Sequence, residues 1–237
     1  MADFRFEPSP RWVRALFGGV AVGDSKRMML LYEPGKLPLY CFPDEDVKTG
    51  LLSPSSHKPN YFDVRVAGRT AENAAWRFDA SELRGCIAFD WSSMDSWFEE
   101  DDEVFVHPRD PYKRIDVLRS SRHVRVVLGG DTIADTHRPS LLFETHLPTR
   151  YYIPRADVRM DLLVPSDTHT RCPYKGVASY WSANVSGKTF KDVVWTYPVP
   201  IPECPKIEQL LCFFNERVDA IHVDGEIEAK PVTKWTG

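Results

Sequence analysis

The sequence predicts a mainly β protein made of two tandem copies of one antiparallel unit with short helices, and three observations lead there. Helical periodicity is scarce, whereas short runs alternate apolar with polar residues between Gly, Pro, Asp and Asn. A shift of about 111 residues lays Arg11 to Ser55 on Arg122 to Ser166 without a gap. Each copy also carries a Gly-Gly pair between two apolar runs, which is a hairpin turn in which positive φ costs glycine little. At 43% hydrophobic and 27% charged residues, the composition is that of an ordinary globular chain.

The repeat rests on identities held in one register. Arg11, Val13 and Arg14 match Arg122, Val124 and Arg125. Asp24, Arg27, Leu30, Leu31 and Glu33 match Asp135, Arg138, Leu141, Leu142 and Glu144. Tyr40, Pro43, Asp46 and Val47 match Tyr151, Pro154, Asp157 and Val158. Chance does not supply this many. The expected organisation is an N-terminal repeat over 9–106, a connector over 107–121 and a C-terminal repeat over 122–230.

In order, Val13 to Phe17 and Val20 to Asp24 form a hairpin about Gly18-Gly19. Met28 to Glu33 and Leu39 to Phe42 continue the unit. One or two helical turns follow over Asp44 to Leu52, with Asp44 as N-cap. Tyr61 to Ala67 and Ala74 to Phe78 read as a second hairpin, and Cys86 to Phe89 as a buried strand. The acidic run Glu99 to Glu103 reads as a solvated loop, because adjacent like charges repel into water. The second copy repeats the order, with a short helix near Ala156 to Leu163 and strands over Val177 to Val185, Asp192 to Tyr197, Leu210 to Phe214 and Ala220 to Val223. The tail after Ile227 reads as frayed.

Composition excludes several classes. A formal net charge of -4 provides no global basic field for nucleic acid. No apolar run approaches the roughly 20 residues of a spanning helix, so no membrane association is expected. The N-terminal residues lack the apolar segment of a secretory signal. Five scattered cysteines without a CxxC pair argue against a disulfide framework or a structural zinc site. A cytoplasmic protein without metal or cofactor is the expectation, with oligomeric state open.

The densest chemistry lies at Thr168 to Trp181, T-H-T-R-C-P-Y-K-G-V-A-S-Y-W. The first copy keeps only a proline at the equivalent turn, so the second half reads as the working domain. Lys175 is the first candidate: desolvated, its pKa falls and it serves as a base; charged, it clamps a ligand anion or pairs with Glu144 or Asp224. Cys172 reads as a nucleophile with His169 as its base, or as a buried structural thiol beside a cis or kinked Pro173. Tyr180 and Tyr197 are the candidate proton donors. Trp195 and Tyr197 form an aromatic wall, and Thr170, Arg171, Tyr174 and His169 complete the candidate ligand contacts. Strand alternation places Tyr180 on the face of Gly176 and Ala178, so Lys175 needs a turn or bulge to join it. Arg138 and Glu144, recurring as Arg27 and Glu33, suggest a structural ion pair.

Both halves resemble the domain of unknown function 427, a family sometimes labelled nucleotidyltransferase-like. In the second half the resemblance rests on R-H-V-R-V, L-L-F-E, R-Y-Y-I-P-R-A-D-V, T-R-C-P-Y-K-G-V-A-S-Y, V-W-T-Y and V-D-G-E. It implies a small β-tent, similar to the methionine sulfoxide reductase B class, for each half. It implies no mechanism, and no phosphate-binding glycine loop supports the label. The leading expectation is a cofactor-free acid–base enzyme (isomerase, cyclase or hydrolase) acting on a planar organic molecule. The alternative is a non-catalytic module that binds a small ligand or a nucleotide, the latter through Lys175 and Arg171.

Overall fold

In each half, a seven-stranded and a four-stranded antiparallel sheet share one hydrophobic core, and a second apolar cluster covers the other face of the larger sheet. The computed structural model describes residues 4–236. The chain divides into units Met1–Asp110 and Pro111–Gly237. The two tandem all-β halves stand as the repeat predicts.

In the second unit the large sheet runs Ile115–Arg119, Ser140–Glu144, Arg150–Ile153, Leu211–Phe213, Lys188–Thr196, Gly176–Val185, Leu163–Cys172. The small sheet runs Asp131–Thr136, Val124–Leu128, Ala220–Val223, Glu226–Ile227. The first unit repeats this topology: Arg5–Pro8 pairs with Met29–Tyr32 as Ile115–Arg119 pairs with Ser140–Glu144. The segment expected as a connector over 107–121 therefore divides between the units, and its I-D-V-L stretch is an edge strand of the second. Its alternating apolar residues supply a pairing edge, which a free linker would not need.

The predicted glycine turns form, with positive φ at Gly18, Gly19, Gly129 and Gly130. Between them the core strands alternate inward and outward: Val124, Val126 and Leu128 are buried while Arg125 and Val127 are less so. The expected short helices are pairs of three-residue 3-10 turns, Asp44–Asp46 with Thr49–Leu51 and Arg155–Asp157 with Met160–Leu162. Asp44 is not the N-cap. Pro43 holds that position, and the Asp44 carboxylate accepts from Arg77 at 2.9 Å.

Three other expectations are corrected. Glu99 does not join a solvated loop; it is 5% exposed in strand Ser96–Glu99, where Arg11 and Tyr40 hold its carboxylate. Arg138 does not pair with Glu144. It makes two hydrogen bonds to Asp157, at 2.9 and 2.8 Å, and Arg27 binds Asp46 in the first unit. The tail after Ile227 is not frayed as far as residue 236: Trp235 packs on the second unit's outer cluster, and the Thr233 hydroxyl donates to Glu216 at 2.6 Å. Among the described residues, no helix is long and apolar enough to cross a membrane.

Candidate functional site

The T-R-C-P-Y-K-G stretch closes the hairpin between Leu163–Cys172 and Gly176–Val185, with Cys172 opposite Gly176. Among the described residues no peptide bond is cis, so Pro173 turns the chain in trans. Gly176 has φ +100°, and a Cβ there would lie 3.4 Å from the Ile201 nitrogen and the Val199 oxygen. A side chain would press on the proline-rich segment that bridges to this residue. The turn swings Lys175 back over the strand face that carries Cys172, Ala178 and Tyr180.

That face is the outer cluster of the large sheet. Cys172, Tyr180, Trp195 and Tyr197 pack there with Tyr152, Cys204, Cys212 and Phe214. Strand pairing sets Tyr180 beside Trp195, and Trp195 lies 4.5 Å from the Phe214 ring. The indole donates to the Tyr152 hydroxyl at 3.1 Å. Thr170 and Tyr180 share a hydroxyl hydrogen bond of 2.9 Å. Five predicted site residues, Thr170, Cys172, Tyr180, Trp195 and Tyr197, thus share one side, and the turn adds Lys175.

His169 and Arg171 do not share it. They alternate with Thr170 and Cys172 and face the other way, and His169 Nδ1 lies 3.2 Å from the Ser179 hydroxyl. His169 is therefore not placed as the base for Cys172. Tyr174 is half-buried in the turn.

Lys175 is buried, and its ammonium contacts Glu144 at 2.5 Å. Lys113 reaches the other Glu144 oxygen at 3.3 Å. Burial alone would lower the Lys175 pKa, but the nearby Cys172 and the Glu144 carboxylate outweigh it and hold the value above normal. The expectation of a lysine base is thereby corrected: Lys175 is a fixed cation whose partner is internal. Burial drives the Tyr197 pKa well up, helped by Cys172, Tyr180 and Glu144, so it stays a neutral phenol. Cys204 is raised to about 11, by burial first. Cys172 is half-buried and the other four cysteines are buried. Iodoacetamide should therefore label one thiol of the native protein, at Cys172, as peptide mass spectrometry would show. Equal labelling at Cys204 or Cys212 would contradict this burial.

A cavity of about 370 Å³ opens on the opposite face of the same sheet. Leu118, Leu141, Phe143 and Tyr151 give it an apolar floor, and Arg119, Arg122 and Glu228 line it as charged groups. Burial raises the Tyr151 pKa to about 12, so the phenol remains a donor. Composition and motif reading had no signal for this cavity. The available signal was the Arg11/Arg122 and Tyr40/Tyr151 matches, once their partners were known.

Among the described residues, one group could ligate a metal. His123, Asp135 and His137 bring ligand atoms within 4.8 Å of one another, with His123 Nε2 2.7 Å from Asp135. The repeat sets Trp12, Asp24 and Lys26 in their places, where Trp12 donates to Asp24 at 2.6 Å and Lys26 lies 4.8 Å over the indole. The cysteine spacings carry no sign of this cross-strand set, whose members meet only when the two strands pair.

Two tandem segments with this paired-sheet architecture match one family, described as a domain of unknown function (DUF427), at residues 5–100 and 116–224. The chain belongs to the DUF427 family. The second match begins inside strand Ile115–Arg119, as the first begins with strand Arg5–Pro8, so each DUF427 segment takes in its own edge strand. No curated protein matches the chain.

Proposed function

We propose that the C-terminal DUF427 domain is a binding module for a small organic molecule, held in the cavity floored by Leu118, Leu141, Phe143 and Tyr151. The cavity carries this reading: it has the size range and the mixed apolar and charged lining of small-molecule sites. The Lys175 cluster supports it from behind. Glu144 anchors the turn to the strand whose neighbouring residues, Leu141 and Phe143, line the cavity from the other face. A ligand-observed NMR screen of small organic acids, amides and alcohols tests it. Hits should lose their signal with L118W, a substitution at a half-exposed lining position that fills the cavity. Hits indifferent to L118W, or none at all, would refute it.

A catalytic reading has one specific observation in its favour: half-exposed Cys172 packs in the same cluster as Tyr180 and Tyr197, with the Lys175 ammonium, paired to Glu144, beside it. Recovery of a bound ligand chemically unchanged after long incubation would favour the module. Conversion that disappears in C172S or Y180F would favour cofactor-free acid–base chemistry. The nucleotide alternative asks Lys175 and Arg171 to act together, whereas Lys175 is engaged by Glu144 and Arg171 points from the other face.

A further inference from the structure

The first half holds an internal carboxylate whose partners recur in the second half. There the buried Glu99 carboxylate accepts from Arg11 Nη1 at 2.8 Å and from the Tyr40 hydroxyl. Trp97 and Trp91 flank Tyr40, with ring centroids 5.8 and 6.3 Å away. Carboxylate, guanidinium, phenol and indoles together fill that corner of the unit.

Register transfers these positions to the second half. Arg11 and Tyr40 correspond to Arg122 and Tyr151 in the repeat. Val13 pairs with Glu99, and its counterpart Val124 pairs with Val223. Ala15 pairs with Trp97, and its counterpart Val126 pairs with Ile221. The backbone agrees: Asp95 donates to the Leu16 carbonyl as Asp219 donates to that of Val127. Counting back along the same segment sets Asn215 in the place of Trp91. The second half has therefore kept both groups that hold the carboxylate and replaced the carboxylate by valine. It has also exchanged two indoles for Ile221 and Asn215.

The consequences are visible. Both Arg122 and Tyr151 line the cavity. Among the described residues the Tyr151 hydroxyl makes no hydrogen bond. Arg122 has one approach to a carboxylate, Nε to Asp224 at 3.5 Å, with both side chains more than half exposed. The Tyr151 phenol can therefore donate into the cavity, and a guanidinium fork is matched to a planar carboxylate.

Resting on the binding reading above, we propose that the ligand is a small monocarboxylate whose head takes the place of the Glu99 side chain. Its carboxylate accepts from Arg122 and from the Tyr151 hydroxyl. Its apolar body lies on Leu118, Leu141 and Phe143. Arg119 adds positive charge at the cavity wall, while Glu228 and the Asp224 carboxylate beside Arg122 disfavour a second negative group on the ligand.

The test uses the full chain with benzoate, hexanoate, benzamide and inorganic phosphate as probes, read by amide chemical-shift titration. The acids should bind at least tenfold more tightly than benzamide, and phosphate should not compete. V223E returns the carboxylate that the first half possesses, so it should abolish benzoate binding while keeping or raising the melting temperature. R122M, at a half-exposed side chain, should keep the fold and remove the preference for acid over amide; it covers the case in which V223E does not fold. Equal binding of benzoate and benzamide, or undiminished benzoate binding in R122M, would overturn the carboxylate assignment and leave the cavity reading standing. Phosphate displacing benzoate would replace the carboxylate with a general anion site. Failure of every probe, acid and amide alike, would remove both readings.

Discussion

Glu144→Gln is expected to destabilise the second unit by about 3–5 kcal/mol, the usual cost of stripping a buried ion pair of one partner. Glu144 is the shared carboxylate of two ammonium groups, Lys175 at 2.5 Å and Lys113 at 3.3 Å, with its own side chain 7% exposed. An amide there leaves both cations facing a neutral group in an apolar cluster. Lys175→Met is the informative comparison. It leaves the carboxylate with Lys113, so its cost should stay nearer the roughly 1.5–3 kcal/mol of one hydrogen bond to a charged group. Thermal or urea unfolding of both variants gives the ranking. A larger loss for Lys175→Met than for Glu144→Gln would show that Lys113 does not share the carboxylate.

Glu216→Gln should be as severe, again about 3–5 kcal/mol. Glu216 is fully buried and takes two hydrogen bonds from Arg150, at 2.8 and 2.7 Å, with a third from the Thr233 hydroxyl. Arg150 in turn lies over the rings of Trp195 and Trp235, so the pair ties the tail to the outer cluster. The pH dependence has a definite sign. Burial would raise the Glu216 pKa, but the Arg150 and Thr233 hydrogen bonds overcome it and hold the carboxyl below its ordinary value of 4.5. A depressed folded pKa contributes stability that is complete above 4.5 and is lost as pH falls through the folded value. Wild-type stability should thus decline below about pH 4.5, and Glu216→Gln should show a lower neutral plateau with a shallower acid limb. An unchanged acid limb would place the titrating carboxylate elsewhere; Asp46 and Asp157, held low by their arginine partners against the effect of burial, are the next to test.

Much of the molecule was legible one residue at a time. Alternation and paired glycines needed only neighbouring positions, so strands such as Val124–Leu128 and the turn at Gly129-Gly130 followed directly. The repeat made the two halves and the DUF427 family visible from the chain. The candidate stretch was found because its thiol, amine and phenols are close in sequence, and the turn was needed to bring Lys175 onto the face of Tyr180.

The partners were not legible, because they come from far along the chain. Glu144 lies 31 residues from Lys175 and Glu99 lies 88 from Arg11. An acidic run looks solvated until a strand edge carries its first member inside. A lysine looks like a base until the fold decides which carboxylate reaches it. By itself the sequence determined two antiparallel β units, their register against each other as copies, and the chemical groups each retained. The tertiary structure alone decided which charges are buried together. It also decided that Val223 lies in the second unit where Glu99 lies in the first, so that Arg122 and Tyr151 face a cavity in place of a carboxylate. Such pairings depend on which strands become neighbours, and the free energy that selects them belongs to the whole sheet rather than to any local run.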